Sequence, residues 1–166
     1  MGRLLYATLT ETLTAHYRPS KFKDCRNLAP NIRDTDKREI WASHGMTPLA
    51  GLQLSFLVSE ECNSVVNDNQ DIIGMFGVTN SGTVGIPWLL MSEASEGLSF
   101  NREFVTQNKQ WVTEVQKRYQ VLTNFVSQDN KRAIKWLKIL GFTFISLKPN
   151  YGVHPQPFYE FVRIRS

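Results

Sequence analysis

The feature that most constrains this chain is a change of hydrophobic period. Between residues 62 and 91 apolar side chains recur at every second position, in CNSVV, IIGMFGV and TVGIPWLLM. Polar turns at Asn67-Asp68-Asn69 and Asn80-Ser81-Gly82 separate the three runs. Period two is the pleat of a strand, and short polar turns join antiparallel neighbours, so the stretch predicts a three-strand meander. Pro87 lies inside the third run, 83–91. It has no N–H to give to a ladder, so it marks an edge or a bulge.

On either side of the meander the spacing is helical. Upstream, 8–17 (TLTETLTAHY) reads as a first strand closed by Arg18-Pro19, and KFKDCRNLAPNIR gathers Phe22, Cys25, Leu28 and Ala29 on one helical face up to Pro30. Asp34, Thr35 and Asp36 offer caps for DKREIWASHG, with Ile40 and Trp41 facing inward and Gly45 as the stop. Thr47-Pro48 then caps a third helical piece carrying Leu49, Leu52, Leu54, Phe56 and Leu57. Downstream, a polar loop over 92–101 leads into the clearest amphipathic helix, REFVTQNKQWVTEVQKRY, with Phe104, Val105, Trp111, Val112, Val115 and Tyr119 on one face. A strand over 121–126 follows, then a helix capped by Asp129-Asn130 and ended by Gly141, a strand FTFISL, a Pro-rich loop PNYGVHPQP and a final strand FYEFVRI. A helix joining two strands over this length makes them parallel neighbours.

At 166 residues, 42% apolar and 20% charged, the chain fits one domain, 1–166, with a core of its own and neither repeat nor linker. The net charge of +4 favours an anionic ligand without naming it, and a solvated basic face accounts for it equally well. Cys25 and Cys62 stand far apart in no CxxC or Cys/His cluster, and His16, His44 and His154 are too scattered for a metal site, so neither disulfide framework nor metal is expected. The start MGRLLY fits neither a myristoylation signal nor a signal peptide, and no run reaches the length of a membrane span. The expectation is a protein of the cytoplasm with no membrane contact. No GxSxG or Cys/His pair points to a nucleophilic triad, and the four tryptophans sit on apolar faces as core residues. Tyr151 and His154, in the loop before the last strand, could gate a substrate, with an ordinary surface loop as the default reading.

The order of elements resembles that of the GCN5-related N-acetyltransferases (GNAT): an α/β (α+β) fold with a mixed, mostly antiparallel sheet of six to seven strands, flanked by helices and splayed at its centre. Asn130, Ala133 and Gly141-Phe142 resemble that family's helix signature without gaps. The run from Arg18 to Ser55 is similar to the opening of phage GNAT-like proteins, and FVSQDNKRAIKWLKILGFTF resembles a segment of the internal virion protein of T7-like podoviruses.

The resemblance implies acetyl-CoA, with no metal, between the strands 83–91 and 121–126, which part where Pro87 interrupts pairing. Leu89, Leu90 and Met91 would bind the pantetheine arm. Gly97, Ser99, Asn101 and Arg102 would hold the pyrophosphate at a helix N-terminus, beside Asn130 and Ala133. Glu93, then Glu39, are the candidate bases. The sequence departs from the family in two places. Glu93, Glu96 and a single Gly97 replace its glycine-rich phosphate loop, and Leu137 stands where many members carry the tyrosine that protonates the leaving thiolate. The implied activity is acetyl transfer, by direct attack in a ternary complex, to an amine of a protein or small molecule. The alternative is a fold that has lost its chemistry and acts by contact, in virion assembly or on a host protein, as monomer or homodimer. Nucleic acid, supported by charge alone, is not an expected partner.

Overall fold

The structure, a computed structural model, describes residues 14–98 and 101–166. Most of the strand expected over 8–17 therefore lies outside the described residues, as does Ser99; within them the chain enters on β1 (Ala15–Pro19). Three helical segments follow: α1 (Asp24–Leu28), continued by a tight turn over Ala29–Asn31, α2 (Asp34–His44) and α3 (Pro48–Val58). Thr47 caps α3 through its side chain, accepting from Ala50 N at 3.2 Å as the Thr-Pro pair predicts. α2 departs from expectation, because Arg33 holds its N-cap position without any side-chain cap bond. Asp36, expected as part of the cap, is turned into the protein and is 2% exposed.

The meander forms as predicted: β2 (Ser59–Asn67), β3 (Ile72–Ser81) and β4 (Val84–Met91) pair antiparallel in sequence. α4 (Arg102–Arg118) then crosses over, capped by Asn101, to β5 (Val121–Ser127), and α5 (Lys131–Ile139) crosses on to β6 (Thr143–Tyr151) and β7 (Gln156–Ile164). Among the described residues the strands make one seven-stranded sheet in the order β1-β2-β3-β4-β5-β7-β6, in which only β4 and β5 pair in parallel.

Two expectations fail at the C-terminal end. β5 and β6, joined by α5, are not neighbours, because β7 inserts between them and runs antiparallel to β5 from Val121↔Ile164 to Ser127↔Phe158. The loop read over 149–157 is mostly strand, with only residues 152–155 in the turn. Pro149 is tolerated because β6 is the sheet edge, where a missing N–H breaks no outer ladder bond.

The sheet separates two helical layers. On one face α1 and α3 pack over Val66, Met75, Trp88 and Leu90. On the other α4 and α5 cover Val78, Leu122, Val126 and Phe161, with Phe76, Leu89 and Met91 beside them. Odd and even residues of β4 thus face opposite layers, as pleating requires. Trp41 is not the inward residue expected: it is 53% exposed, and its ring stacks on His154 at 4.6 Å. No helix among the described residues is long and apolar enough to cross a membrane.

Candidate active site

The parallel pairing of β4 with β5 is confined to Val84↔Val121 and Gly85↔Leu122, after which the strands part. The cause can be read from the ladder. Thr83 O accepts from Gln120 N on the β5 side, Ser92 N donates to Ile73 on the β3 side, and alternation between them points the backbone groups of residues 85, 87, 89 and 91 toward β5. Pro87 falls on this set, so its missing N–H leaves a gap in the ladder where the next rung would form. Asn124 fills part of the gap by donating from Nδ2 to Pro87 O at 2.8 Å.

The opening runs through the sheet as a cavity of about 220 Å³. On the α2–α3 face it is lined by Glu39, Leu54, Trp88, Phe125, Tyr151 and Phe158, and on the α4–α5 face by Leu89, Asn108, Trp111, Ala133, Trp136 and Leu137.

Glu39 supplies the titratable group. Asn130 Nδ2 donates to Glu39 Oε2 at 2.7 Å and to Asp36 Oδ1 at 2.9 Å, while Asn130 Oδ1 accepts from Ala133 N at 3.3 Å and caps α5. Burial pushes the Glu39 carboxyl up to about 7; the Asn130 bond opposes that rise and the charge of Asp36 adds to it. Tyr151 stands across the opening, its ring stacked on Phe125 at 4.4 Å, and burial followed by the charge of Glu39 raises its phenol above the ordinary value. A carboxylate that titrates near neutrality and a phenol that keeps its proton thus share one cleft, the kinds of group that general base and general acid catalysis use.

Asp36 does different work. Arg33 Nε and Nη2 both donate to Asp36 Oδ2, at 3.1 and 3.0 Å, and Met91 N donates to the same oxygen at 3.1 Å. Arg33 N donates to Met91 O at 3.0 Å, so residues 33–36 occupy both cleft-facing groups of Met91. Leu89, between Pro87 and Met91, is the cleft-facing residue that presents its N–H and C=O to the opening.

The remaining expected residues divide by layer. Leu89, Met91, Gly97 and Ala133 line a groove of about 230 Å³ between the 92–98 segment, α4 and α5, together with Arg33, Arg132 and Lys135. Asn101 and Arg102 begin α4 at its end, and Asn101 Oδ1 accepts from Phe104 N at 3.0 Å. Leu90 packs on the opposite face. Glu93 lies outside the cleft: it is 62% exposed and pairs with Arg132 Nη1 at 3.1 Å, while Glu96 takes Arg132 Nη2 at 3.2 Å. Of the two glutamates, only Glu39 reaches the opening. Burial pushes the Cys62 thiol up to about 11, which leaves no thiolate nucleophile there at neutral pH. Sequence reading did not find Asp36 as a β4 partner, Asn124 as the filler of the gap, or Tyr151 opposite Glu39, since each depends on contacts between distant segments. In the sequence Tyr151 stands out only through its loop.

This architecture is that of the GNAT fold. A GNAT from Kribbella flavida superposes with TM-score 0.65 at 17% identity, covering 91% of this chain and 98% of that one. Ard1 from Thermoplasma volcanium gives 0.67 at 16% identity, with 92% and 98% covered. A phosphinothricin acetyltransferase from Sinorhizobium meliloti, solved in complex with AcCoA, gives 0.64 at 14% identity, with 91% and 88% covered. In sequence, residues 77–146 match the family described as "Bacteriophage T7, probable scaffold protein Gp13", which links the chain to phage proteins. A search of curated proteins found no match.

Proposed function

We propose that this chain is a phage-encoded, acetyl-CoA-dependent N-acetyltransferase. The observation that carries the reading is the position of Glu39, a carboxylate titrating near 7 at the point where β4 and β5 part. Acetyl-CoA, as co-substrate, would run from the groove holding Gly97, Arg132 and Lys135 to the opening, its pantetheine arm beside Leu89. The Leu89 N–H would polarise the thioester carbonyl, and positioning would supply much of the rate. Glu39 takes one proton from the acceptor ammonium and the amine nitrogen attacks the carbonyl carbon; the C–S bond breaks as the Tyr151 phenol gives its proton to the sulfur, and the second nitrogen proton then restores the phenol, leaving a neutral amide and the CoA thiol. Tyr151 thereby fills the role left open by Leu137.

Two tests bear on this. Calorimetric titration with acetyl-CoA should give micromolar binding; absence of heat at millimolar ligand refutes the proposal. Glu39→Gln should keep that affinity and lower acetyl transfer about 100- to 10,000-fold, the range for loss of a general base, with the wild-type rate rising as pH passes about 7.

A second reading has its own observation. Met91 is already bonded by Arg33 and Asp36, Arg132 is neutralised by Glu93 and Glu96, and residues 77–146 match a phage scaffold family. A protein that acts by contact in virion assembly fits these facts, and the same calorimetric titration decides between the two.

A further inference from the structure

On the α2–α3 face, where the acceptor would enter, aromatic rings form three sides of the wall. Phe125 stacks on Tyr151, Tyr151 meets Phe158 at 4.8 Å, and Trp88 is fixed by its Nε1 donating to Ser59 Oγ at 2.7 Å. The turn after Tyr151 is fastened to α2: Val153 N donates to Ser43 O at 3.3 Å and His154 N to Ala42 O at 3.0 Å. Gly152, at φ 96°, permits this approach, because a Cβ there would stand 2.3 Å from Ala42 O. Trp41 over His154 and the exposed Val153 extend the apolar surface beyond this turn.

Charge on this wall is sparse. Among the described residues lining the cleft, Asp36 and Glu39 are the acids, and Asp36 is closed by its forked bond to Arg33. One carboxylate therefore remains to meet a cation. A second ammonium carried into the same wall would be buried without a partner, and the loss of its hydration opposes binding. The cavity of about 220 Å³ also lies below the roughly 300–1,000 Å³ of pockets that hold drug-sized ligands, so the stem is small.

We infer that the acceptor is a single primary amine on a short aromatic or branched apolar stem, held by the rings of Trp88, Phe125 and Tyr151 with its nitrogen on Glu39, and not a polyamine. The inference rests on the acetyltransferase reading for its chemistry, but the site itself is read from the wall. The stem can belong to a free arylalkylamine or to the first residue of a polypeptide, and 2-phenylethylamine and a short peptide beginning with Phe separate these sources.

The experiment uses the full chain. Binding of 2-phenylethylamine, the Phe-peptide and spermidine is followed by tryptophan fluorescence and calorimetry, with and without CoA, and acetyl transfer to each is then measured with acetyl-CoA. One of the two aromatic amines should bind at least tenfold more tightly than spermidine. Glu39→Gln and Tyr151→Leu should each weaken it about tenfold, and unchanged circular dichroism should show both variants folded. Equal or better binding or turnover of spermidine overturns the inference while leaving acetyl transfer intact. Glu39-dependent binding of an aromatic amine without turnover upholds the inference and removes the acetyltransferase reading. Failure of both aromatic amines to bind, with or without CoA, overturns the inference.

Discussion

The two mouths of the cleft are built on different terms. On the α2–α3 face, Glu39 is a carboxyl raised by burial among aromatic rings, with a phenol across from it. On the α4–α5 face Glu93 and Glu96, from the 92–98 segment, neutralise Arg132 at the surface, and Met91 is bonded to α2. A group kept reactive by burial costs stability, and a group neutralised at the surface costs little. The side expected to touch the acceptor therefore carries the energetic burden of the site, and the side expected to hold phosphates is close to indifferent.

The contrast can be broken most forcefully at Asp36. Asp36→Ala should leave the buried Arg33 guanidinium and the Met91 N–H without their partner, lowering stability by about 3 to 5 kcal/mol in chemical denaturation. A loss under 1 kcal/mol would show that the α2–β4 junction is not held by that carboxylate. Next in size, Gly152→Val sets a side chain against Ala42 O at positive φ. It should cost about 1 to 3 kcal/mol and expose the 152–155 turn to protease, and an unchanged digestion pattern would mean that the turn does not depend on α2.

Smaller again is the pH signature of Glu39. Its folded value of about 7 exceeds the ordinary 4.5, so the folded protein binds the proton more tightly than the unfolded chain. The stability this gives is complete below about 4.5 and is lost as pH rises through about 7, on the order of 1 to 2 kcal/mol once partial exposure is allowed for. Thermal melts of wild type and Glu39→Gln between pH 4 and 8 should diverge over that window, with the variant gaining relative to wild type; parallel curves would remove the burial argument. The smallest effect belongs to the other mouth. Glu93→Gln with Glu96→Gln releases Arg132 and should tighten acetyl-CoA binding by about fivefold, since two exposed pairs at roughly 0.5 kcal/mol each amount to about 1 kcal/mol.

What the sequence disclosed follows the same division. The meander, α4 and α5 were legible because period two, period 3.6, Asn caps and Gly stops are local signals. Pro87 by itself marks an edge or a bulge, because it removes a specific donor, and the parting of β4 from β5 was legible only through the family resemblance. The position of β7 between β5 and β6 was not, because the side of the sheet on which a hairpin lands depends on contacts between Phe158, Phe161 and strands far away in sequence. Within the site, Glu39 could be named but not placed above Glu93. Glu39 lies inside a helical run and Glu93 in a polar loop, neither of which reveals burial, and only the tertiary structure buries one and exposes the other. Asp36 resembled a helix cap because its Asp-Thr-Asp context is what caps look like, whereas its partner on β4 lies 55 positions on.

Asn130 gives the arrangement a constraint of its own. Serine, threonine or aspartate would begin α5 as well as asparagine does. None of them has an amide NH₂ that can also hold two acids of another helix, and aspartate would add a third negative group to them. One side chain thus makes the start of α5 and the inner face of α2 a single mechanical part. A shift of α5 against α2 would strain the bond from Asn130 to Glu39, so the seating of one helix bears on the proton carried by the other.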